Sequence, residues 1–244
     1  MAHNKYNIRE MEEIFKDPLN RKLLNENKFD ELFKNIQDQE HSHFNPYDIS
    51  ELSQFLIDAD IDFIPYLTKI LFYMFKYTDF KNKPVVLGQI TKLEPHSFSG
   101  SNLTSITIPN SVEEIEIDAF KDCSELTNII ISNGVVKIDA FAFANCSGLT
   151  IINIPDSIIR IGDYAFADCT ELIDINFGKN SQLKRIGYHA FEGCINLTKI
   201  IIPDSVIEIE TGIFYNCPNL HHIEWRGKIY KSYAGFIRDF NKSK

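Results

Sequence analysis

The chain has 244 residues, of which 44% are hydrophobic and 24% are charged, and its formal net charge is −9. This composition is typical of a globular protein with enough apolar mass for a core, which excludes wholesale disorder. The acidity argues against direct binding of DNA or RNA, because nucleic-acid-binding proteins normally carry a basic face.

Residues 1–66 differ from the rest of the chain in charge and in pattern. They hold 14 acidic and 7 basic side chains, a net charge of −7, whereas residues 67–244 hold 20 and 18, a net charge of −2. Asp17-Pro18 is a helix-start signal. Apolar side chains then follow helical spacing, at Phe29, Leu32, Phe33 and Ile36, and again at Ile49, Leu52, Phe55 and Leu56. The sequence predicts an acidic helical N-terminal module over residues 1–66.

The sequence contains no long apolar segment. No stretch reaches the roughly 18 apolar residues of a membrane span, and the start of the chain lacks the apolar region of a secretion signal. As given, the chain is therefore predicted to be cytoplasmic and not bound to a membrane. A surface or secreted location would follow if a signal peptide had been removed.

A Phe-x-x-Cys element recurs along the rest of the chain. It occurs at Phe120–Cys123, Phe143–Cys146, Phe166–Cys169, Phe191–Cys194 and Phe214–Cys217, so the cysteines are spaced by 23, 23, 25 and 23 residues. Phe98-Ser-Gly-Ser101 is an earlier copy in which serine replaces cysteine. A fixed period of this length indicates a repeat architecture.

Each period also contains a short strand pattern, such as Leu149-x-x-Ile152-x-Ile154. Alternate residues of such a strand point inward, and one repeat alone cannot bury them. Stacked coils therefore predict a parallel β-sheet solenoid over residues 67–225, whose first coil is a degenerate cap. The two extra residues of the longer period fall at Lys179–Gln182 and predict a bulged surface turn.

The repeat resembles the BspA-like leucine-rich repeats of the Treponema pallidum type, whose pattern is Leu-x-x-Ile-x-Ile-Pro-x-x-Val-x-x-Ile-Gly-x-x-Ala-Phe-x-x-Cys. Leu149 to Cys169 is the closest copy, and the resemblance covers about residues 84–225. The sequence departs from this pattern at single positions, since Ser132 stands at the proline position and Ile213 at the alanine position. The resemblance implies an α/β leucine-rich-repeat solenoid of stacked coils, here with a helical N-terminal cap.

Residues 226–244 are predicted to cover the last coil. Trp225 occupies the strand position that isoleucine takes in other repeats. An aromatic and apolar stripe at helical spacing then follows, with Tyr233, Phe236, Ile237 and Phe240. This stripe predicts a C-terminal capping segment.

The five cysteines are predicted to be buried, reduced and structural. Side chains on adjacent coils point in parallel, which places their Cβ atoms about 5 Å apart, beyond the usual disulfide separation. A zinc site needs four ligands that converge on one point, whereas thiols stacked along the coils would lie in a line.

No other motif indicates catalysis or a cofactor. Asp58-x-Asp60-x-Asp62 resembles the start of a calcium loop, but Phe63 and Lys69 stand where glycine and glutamate are needed. His41-x-His43 has no further ligands at a diagnostic spacing, and His221, His222 and Glu224 offer at most two converging groups. The chain is predicted to be no enzyme, with no metal site and no cofactor.

Function is predicted to lie on the concave face of the sheet, where outward strand positions are free of packing constraints. These candidate partner-binding residues are Ser105, Thr107, Asn128, Ile130, Ile151, Asn153, Asp174, Asn176, Lys199, Ile201, His222 and Glu224. Exposed isoleucines beside polar side chains are typical of a protein interface, although strand propensity alone could also account for them. A charged column at Glu114, Lys137, Arg160, Arg185 and Glu208 is predicted to be a solvated surface.

The favoured hypothesis is a non-enzymatic protein that binds a protein partner through this face. The family resemblance implies a cell-surface adhesin. An intracellular inhibitor or adaptor from a phage or mobile element, with the acidic helical module contributing to binding, is the alternative. The sequence does not identify the partner or the oligomeric state.

Overall fold

The computed structural model describes residues 17–19, 22, 31, 85–86 and 91–243. Two strands recur in every coil. The longer strands are β1 (Val85–Val86), β3 (Ser105–Ile108), β5 (Asn128–Ile131), β7 (Ile151–Ile154), β9 (Asp174–Phe177), β11 (Lys199–Ile202) and β13 (His222–Trp225). The shorter strands are β2 (Lys92–Leu93), β4 (Glu114–Ile115), β6 (Lys137–Ile138), β8 (Arg160–Ile161), β10 (Arg185–Ile186) and β12 (Glu208–Ile209). Strand β14 (Lys228–Tyr230) and helix α1 (Tyr233–Lys242) follow the last coil.

The short strands form one continuous parallel sheet in the order β12-β10-β8-β6-β4-β2. The register keeps equivalent residues side by side, as where Ile161 of β8 lies between Ile138 of β6 and Ile186 of β10. The predicted parallel solenoid is therefore confirmed. The two extra residues of the longer coil leave this register unchanged, so they are absorbed in the turn, as predicted.

The long strands form three separate ladders, β1-β3-β5, β7-β9 and β11-β13-β14, where the sequence predicts one continuous sheet. Hydrogen-bonded pairing stops between β5 and β7 and again between β9 and β11. The second interruption adjoins the longer coil, whose two extra residues follow β9 directly. The long strands are therefore parallel, as predicted, but they do not form one continuous hydrogen-bonded sheet. The continuous sheet is that of the short strands, which the sequence did not predict.

The inward side chains form a continuous apolar core along the axis of the solenoid. The phenylalanine of each repeat stacks on the next, and ring centroids are 5.0 Å apart for Phe98 and Phe120 and 5.1 Å for Phe120 and Phe143. Leucine, isoleucine and valine of both strand types surround this stack and are buried, for example Leu149, Ile152 and Ile158. Because one coil cannot cover its own inward face, the coils are stable only when stacked.

The turn that follows each short strand contains two residues in the left-handed region. Phe141 and Tyr164 are the bulkiest of them, with φ of 55° and 56°. Left-handed φ is unusual for large side chains, so the surrounding structure must hold it. Hydrogen bonds between successive coils do so, because Phe120 N donates to the Ala142 carbonyl at 2.7 Å and Phe143 N to that of Ala165 at 2.8 Å.

The cysteines are free thiols, as predicted. Cys123, Cys146, Cys169 and Cys194 are buried, whereas Cys217 in the last coil is only partly buried. Each thiol donates to the carbonyl of a phenylalanine in the preceding coil, as Cys169 does to Phe143 at 3.2 Å. The cysteine position therefore stabilises the stacking of coils.

The segment predicted as the C-terminal cap packs on the last coil and contains one element that the sequence did not predict. Phe236 and Phe240 of α1 are buried against Trp225, with ring centroids 5.9 and 5.2 Å away. Strand β14 is the unpredicted element and pairs antiparallel with β13. Arg226 and Gly227 connect the two strands with φ of 48° and 71°, which is the conformation of a tight hairpin turn.

The helical N-terminal module over residues 1–66 lies almost entirely outside the described residues, as does the degenerate first coil near residue 67. Of the module, Pro18, Leu19, Lys22 and Glu31 are helical, and the Asp17 carboxylate accepts a hydrogen bond from Leu19 N at 2.8 Å. The module stays a prediction. In the repeats of residues 91–243 the coils consist of strands and turns, and α1 is the only α-helix there.

Candidate functional site

The predicted partner-binding residues all lie on the solvent side of the long strands. We call this surface the long-strand face. Paired residues from neighbouring strands share it, namely Ser105 with Asn128, Thr107 with Ile130, Ile151 with Asp174, Asn153 with Asn176, Lys199 with His222 and Ile201 with Glu224. Strand alternation produces this arrangement, because the residues between them point into the core. The structure thus brings the twelve predicted residues to one side.

Three isoleucines are the main apolar groups on the long-strand face. Ile130, Ile151 and Ile201 are 52%, 47% and 47% exposed, whereas the inward Ile129, Ile152 and Ile200 are at most 3% exposed. A half-exposed isoleucine keeps apolar surface in contact with water, which a binding partner could cover. The outward isoleucines are therefore accessible to a binding partner, whereas the inward isoleucines of the same strands are not.

Polar groups on this face are partly paired with each other. The Asn176 side-chain amide donates to the Asn153 side-chain oxygen at 3.2 Å. His222 Nε2 lies 3.7 Å from a Glu224 carboxylate oxygen, which confirms that these two side chains share a face. His221 instead contacts the Asn219 carbonyl through Nδ1 at 2.7 Å, so it does not join them.

A groove of about 680 Å³ opens where β9 and β11 are not hydrogen-bonded to each other. Asp174, Asn176, Lys199 and Ile201 of the long-strand face line it, together with the turns at residues 178–181 and 203–205. The inward Phe177 at this position is only partly buried. The groove therefore lies at the second interruption of the long-strand face, beside the longer coil.

Ile229 extends the long-strand face beyond the residues that the sequence predicted. It is 50% exposed and pairs with Glu224 across β13 and β14. The repeat pattern ends before this strand, so the period could not reveal it. The Arg226-Gly227 dipeptide followed by Lys-Ile-Tyr was the signal available for a hairpin.

Four of the five side chains in the charged column on the short strands form ion pairs. Arg160 forms none with the residues that the structure describes. Arg185 contacts Glu208 at 2.8 Å and Glu210 at 2.9 Å. Lys137 contacts Asp139 at 2.8 Å. Burial alone would raise the pKa of Asp139, but hydrogen bonds from Lys137 and the Ala140 backbone outweigh it and lower that pKa. These exposed pairs fit the predicted solvated surface.

Potential metal ligands do not converge in the described part of the chain. No group of three or more histidine, cysteine, aspartate or glutamate side chains there could hold a metal ion. The calcium-loop fragment at residues 58–62 and His41-x-His43 lie outside the described residues. None of the described helices is long and apolar enough to cross a membrane.

Comparison with known proteins identifies the repeat. The model of the BspA type leucine rich repeat region matches in six copies, over residues 68–180, 91–221 and 176–236. Comparison with curated protein sequences gives no significant match.

Two solved structures are similar to this chain. A leucine-rich repeat protein of T. pallidum is 25% identical with a TM-score of 0.56, and the match covers 64% of this chain and 82% of that protein. The pneumococcal vaccine antigen PcpA is 26% identical with a TM-score of 0.55, and the match covers 62% of this chain. Only 43% of PcpA is matched, so this chain corresponds to less than half of that protein.

Proposed function

Because the chain belongs to the BspA-type leucine-rich-repeat family, we propose that it is a non-enzymatic binding protein whose long-strand face recognises a protein partner. The half-exposed Ile130, Ile151 and Ile201 carry this proposal, since they are apolar groups on an otherwise polar face. Protein interfaces have such an apolar centre with a polar rim. Six stacked long strands span roughly 30 Å, enough for the about 800 Å² per partner of a standard complex.

The groove between β9 and β11 supports the same proposal. It adds a recess beside Ile201 with charges of both signs, Asp174 and Lys199. A recess can accept a protruding side chain of the partner, and energetically dominant contacts of protein complexes are often made in such pockets.

The test replaces the exposed isoleucines by aspartate in the variant Ile130→Asp/Ile151→Asp/Ile201→Asp. Aspartate introduces charge into the apolar centre, which a partner would have to desolvate. We expect partners captured from host lysate by the wild-type protein to be lost, with circular dichroism confirming an intact fold.

A matched control places the same substitutions elsewhere. Val136, Ile159 and Ile207 are 37%, 45% and 63% exposed and precede the short strands. The variant Val136→Asp/Ile159→Asp/Ile207→Asp should therefore keep the partners. If the long-strand variant is folded and retains every partner, the proposed binding face is wrong.

A surface-exposed adhesin is the second candidate, and the likeness to the pneumococcal vaccine antigen favours it. In that case protease treatment of intact cells that carry the native gene should degrade the protein. Protection from the protease until the cells are lysed would instead favour the intracellular inhibitor or adaptor.

A further inference from the structure

A partly exposed row of aromatic rings runs along the turns that follow the short strands. Phe141 and Tyr164 stack with centroids 4.9 Å apart, and Tyr164 and His189 follow at 5.1 Å. Tyr188 and Tyr215 flank His189 at 4.1 and 5.6 Å and are 41% and 62% exposed. Tyrosine is enriched at protein interfaces because it offers apolar area with a polar tip.

The same turns collect the acidic side chains of the solenoid. We define the turn face as residues 116–125, 139–148, 162–171, 187–196 and 210–219. It holds ten acidic side chains and one basic one, a net charge of −9. The other residues of 91–243 hold 9 acidic and 12 basic side chains, a net charge of +3. The turns stack through hydrogen bonds between coils, so these charges share one side of the molecule.

Part of this acidity is not neutralised within the described chain. Glu116, Asp139 and Glu210 have partners among the lysines and arginine of the short strands. Five other carboxylates of the turn face make no ion pair with any residue that the structure describes, namely Asp122, Glu125, Asp163, Asp168 and Glu171. A cationic partner could pair with them.

One cation of the chain itself shows how such a partner would be held. Lys121 Nζ lies 3.5 Å from an Asp118 carboxylate oxygen and 5.3 Å from the centroid of the Phe141 ring. The lysine is thus held by a carboxylate and an aromatic ring together. In the next two coils Ala144 and Ala167 take the position of Lys121, and Phe141 and Tyr164 take that of Asp118, so neither the lysine nor its carboxylate is repeated.

We propose that the turn face binds an arginine- or lysine-rich segment of a partner protein. The cationic side chains would sit against Tyr188 and Tyr215 and pair with Asp163, Asp168 and Glu171, through the same combination of ring and carboxylate that holds Lys121. Residues 1–66 of the chain are a poor occupant, because their net charge is −7. This surface is separate from the long-strand face.

Isothermal titration with a nona-arginine peptide tests the proposal. The variant Asp163→Asn/Asp168→Asn/Glu171→Gln removes three charges from the turn face. We expect its Kd to rise about tenfold, the combined effect of three exposed ion pairs. Tyr188→Ala/Tyr215→Ala should raise the Kd about fivefold, through loss of two exposed cation–π contacts.

The matched control is Glu113→Gln/Glu114→Gln/Glu208→Gln, which removes the same charge beside and on the short strands. Its Kd should stay close to that of the wild type. An equal loss of affinity in both charge variants would show that net charge alone attracts the peptide and would overturn the proposal. So would unchanged binding in the tyrosine variant. Ile130→Asp/Ile151→Asp/Ile201→Asp should still bind nona-arginine, which separates this test from that of the long-strand face.

Discussion

The cysteine of each repeat acts as a small buried hydrogen-bond donor. Cys146 Sγ donates to the Phe120 carbonyl at 3.1 Å, and Cys194 Sγ donates to that of Phe166 at 3.3 Å. The same two carbonyls also accept a backbone hydrogen bond within their own coil, from Cys123 N at 3.2 Å and Cys169 N at 3.4 Å. The thiol therefore fills the second acceptor position of the carbonyl, which a purely apolar side chain of this size could not do. The same burial suppresses the chemical reactivity of the thiol, since the thiolate is the nucleophile.

The thiols are predicted to be unreactive in the native protein. Burial raises the pKa of Cys169 to about 12 and that of Cys217 to about 11. Only the partly exposed Cys217 should react with Ellman's reagent at about pH 8, and it should react slowly because few thiolates are present. After unfolding without reductant, all five thiols should titrate.

Cys217→Ser serves as the control for this measurement, because it should remove the native reaction and leave four thiols after unfolding. Fewer than five free thiols in the unfolded wild-type protein would reveal a disulfide and contradict the structural role of the cysteines.

Among the elements, the C-terminal hairpin and helix protect the end of the solenoid. Without them the inward face of the last coil, including Trp225, would be open to water. Helix α1 begins at a capping residue, since the Ser232 side chain accepts a hydrogen bond from Gly235 N at 3.3 Å. Its buried face consists mainly of Phe236 and Phe240. The cap therefore depends on two aromatic side chains.

Phe240→Ala should weaken the packing of helix α1 on the last coil. Removing a buried phenylalanine costs about 3–5 kcal/mol, and here the loss falls on the end of the array. Hydrogen exchange should accelerate in β14 and α1 before it changes in the central coils. Arg238→Ala, whose side chain is 70% exposed, should leave exchange unchanged. Equal acceleration in the central coils would show that the cap and the repeats unfold as one unit.

Across the array as a whole, the phenylalanine stack couples the stability of each coil to that of its neighbours. Phe166 lies between Phe143 and Phe191, with centroids 5.1 and 5.5 Å away. Each coil contacts only its neighbours, so a defect in the middle removes support on both sides. The stack also makes the array one cooperative body.

Phe166→Ala is expected to lower the free energy of unfolding by about 3–5 kcal/mol in urea denaturation. Hydrogen exchange should accelerate in the coils on both sides of residue 166. The control Ile173→Ala changes a residue that is 51% exposed, and should alter stability by at most about 0.5 kcal/mol. A loss of protection confined to one side would contradict the symmetric coupling of the coils.

The amino-acid sequence alone establishes the coil period, the inward residues of the long strands, the twelve positions of the long-strand face and the aromatic stripe of the cap. These features depend on register, because strand alternation and a regular repeat period determine which side chains point inward. The Trp225 position and the insertion at residues 179–182 followed from the same register. The partner and the role of residues 1–66 stay predictions.

The folded structure was needed to establish the division of the long strands into three ladders, the thiol–carbonyl hydrogen bonds and the antiparallel β14. It also showed that the charges of residues 91–243 are unevenly distributed, with −9 on the turn face and +3 elsewhere. Acidic residues from different coils, such as Asp122, Asp168 and Glu192, reach one surface because stacking superposes the turns. A net charge counted along the sequence sums the charges of all surfaces, whereas the folded solenoid places acidic and basic side chains on different faces.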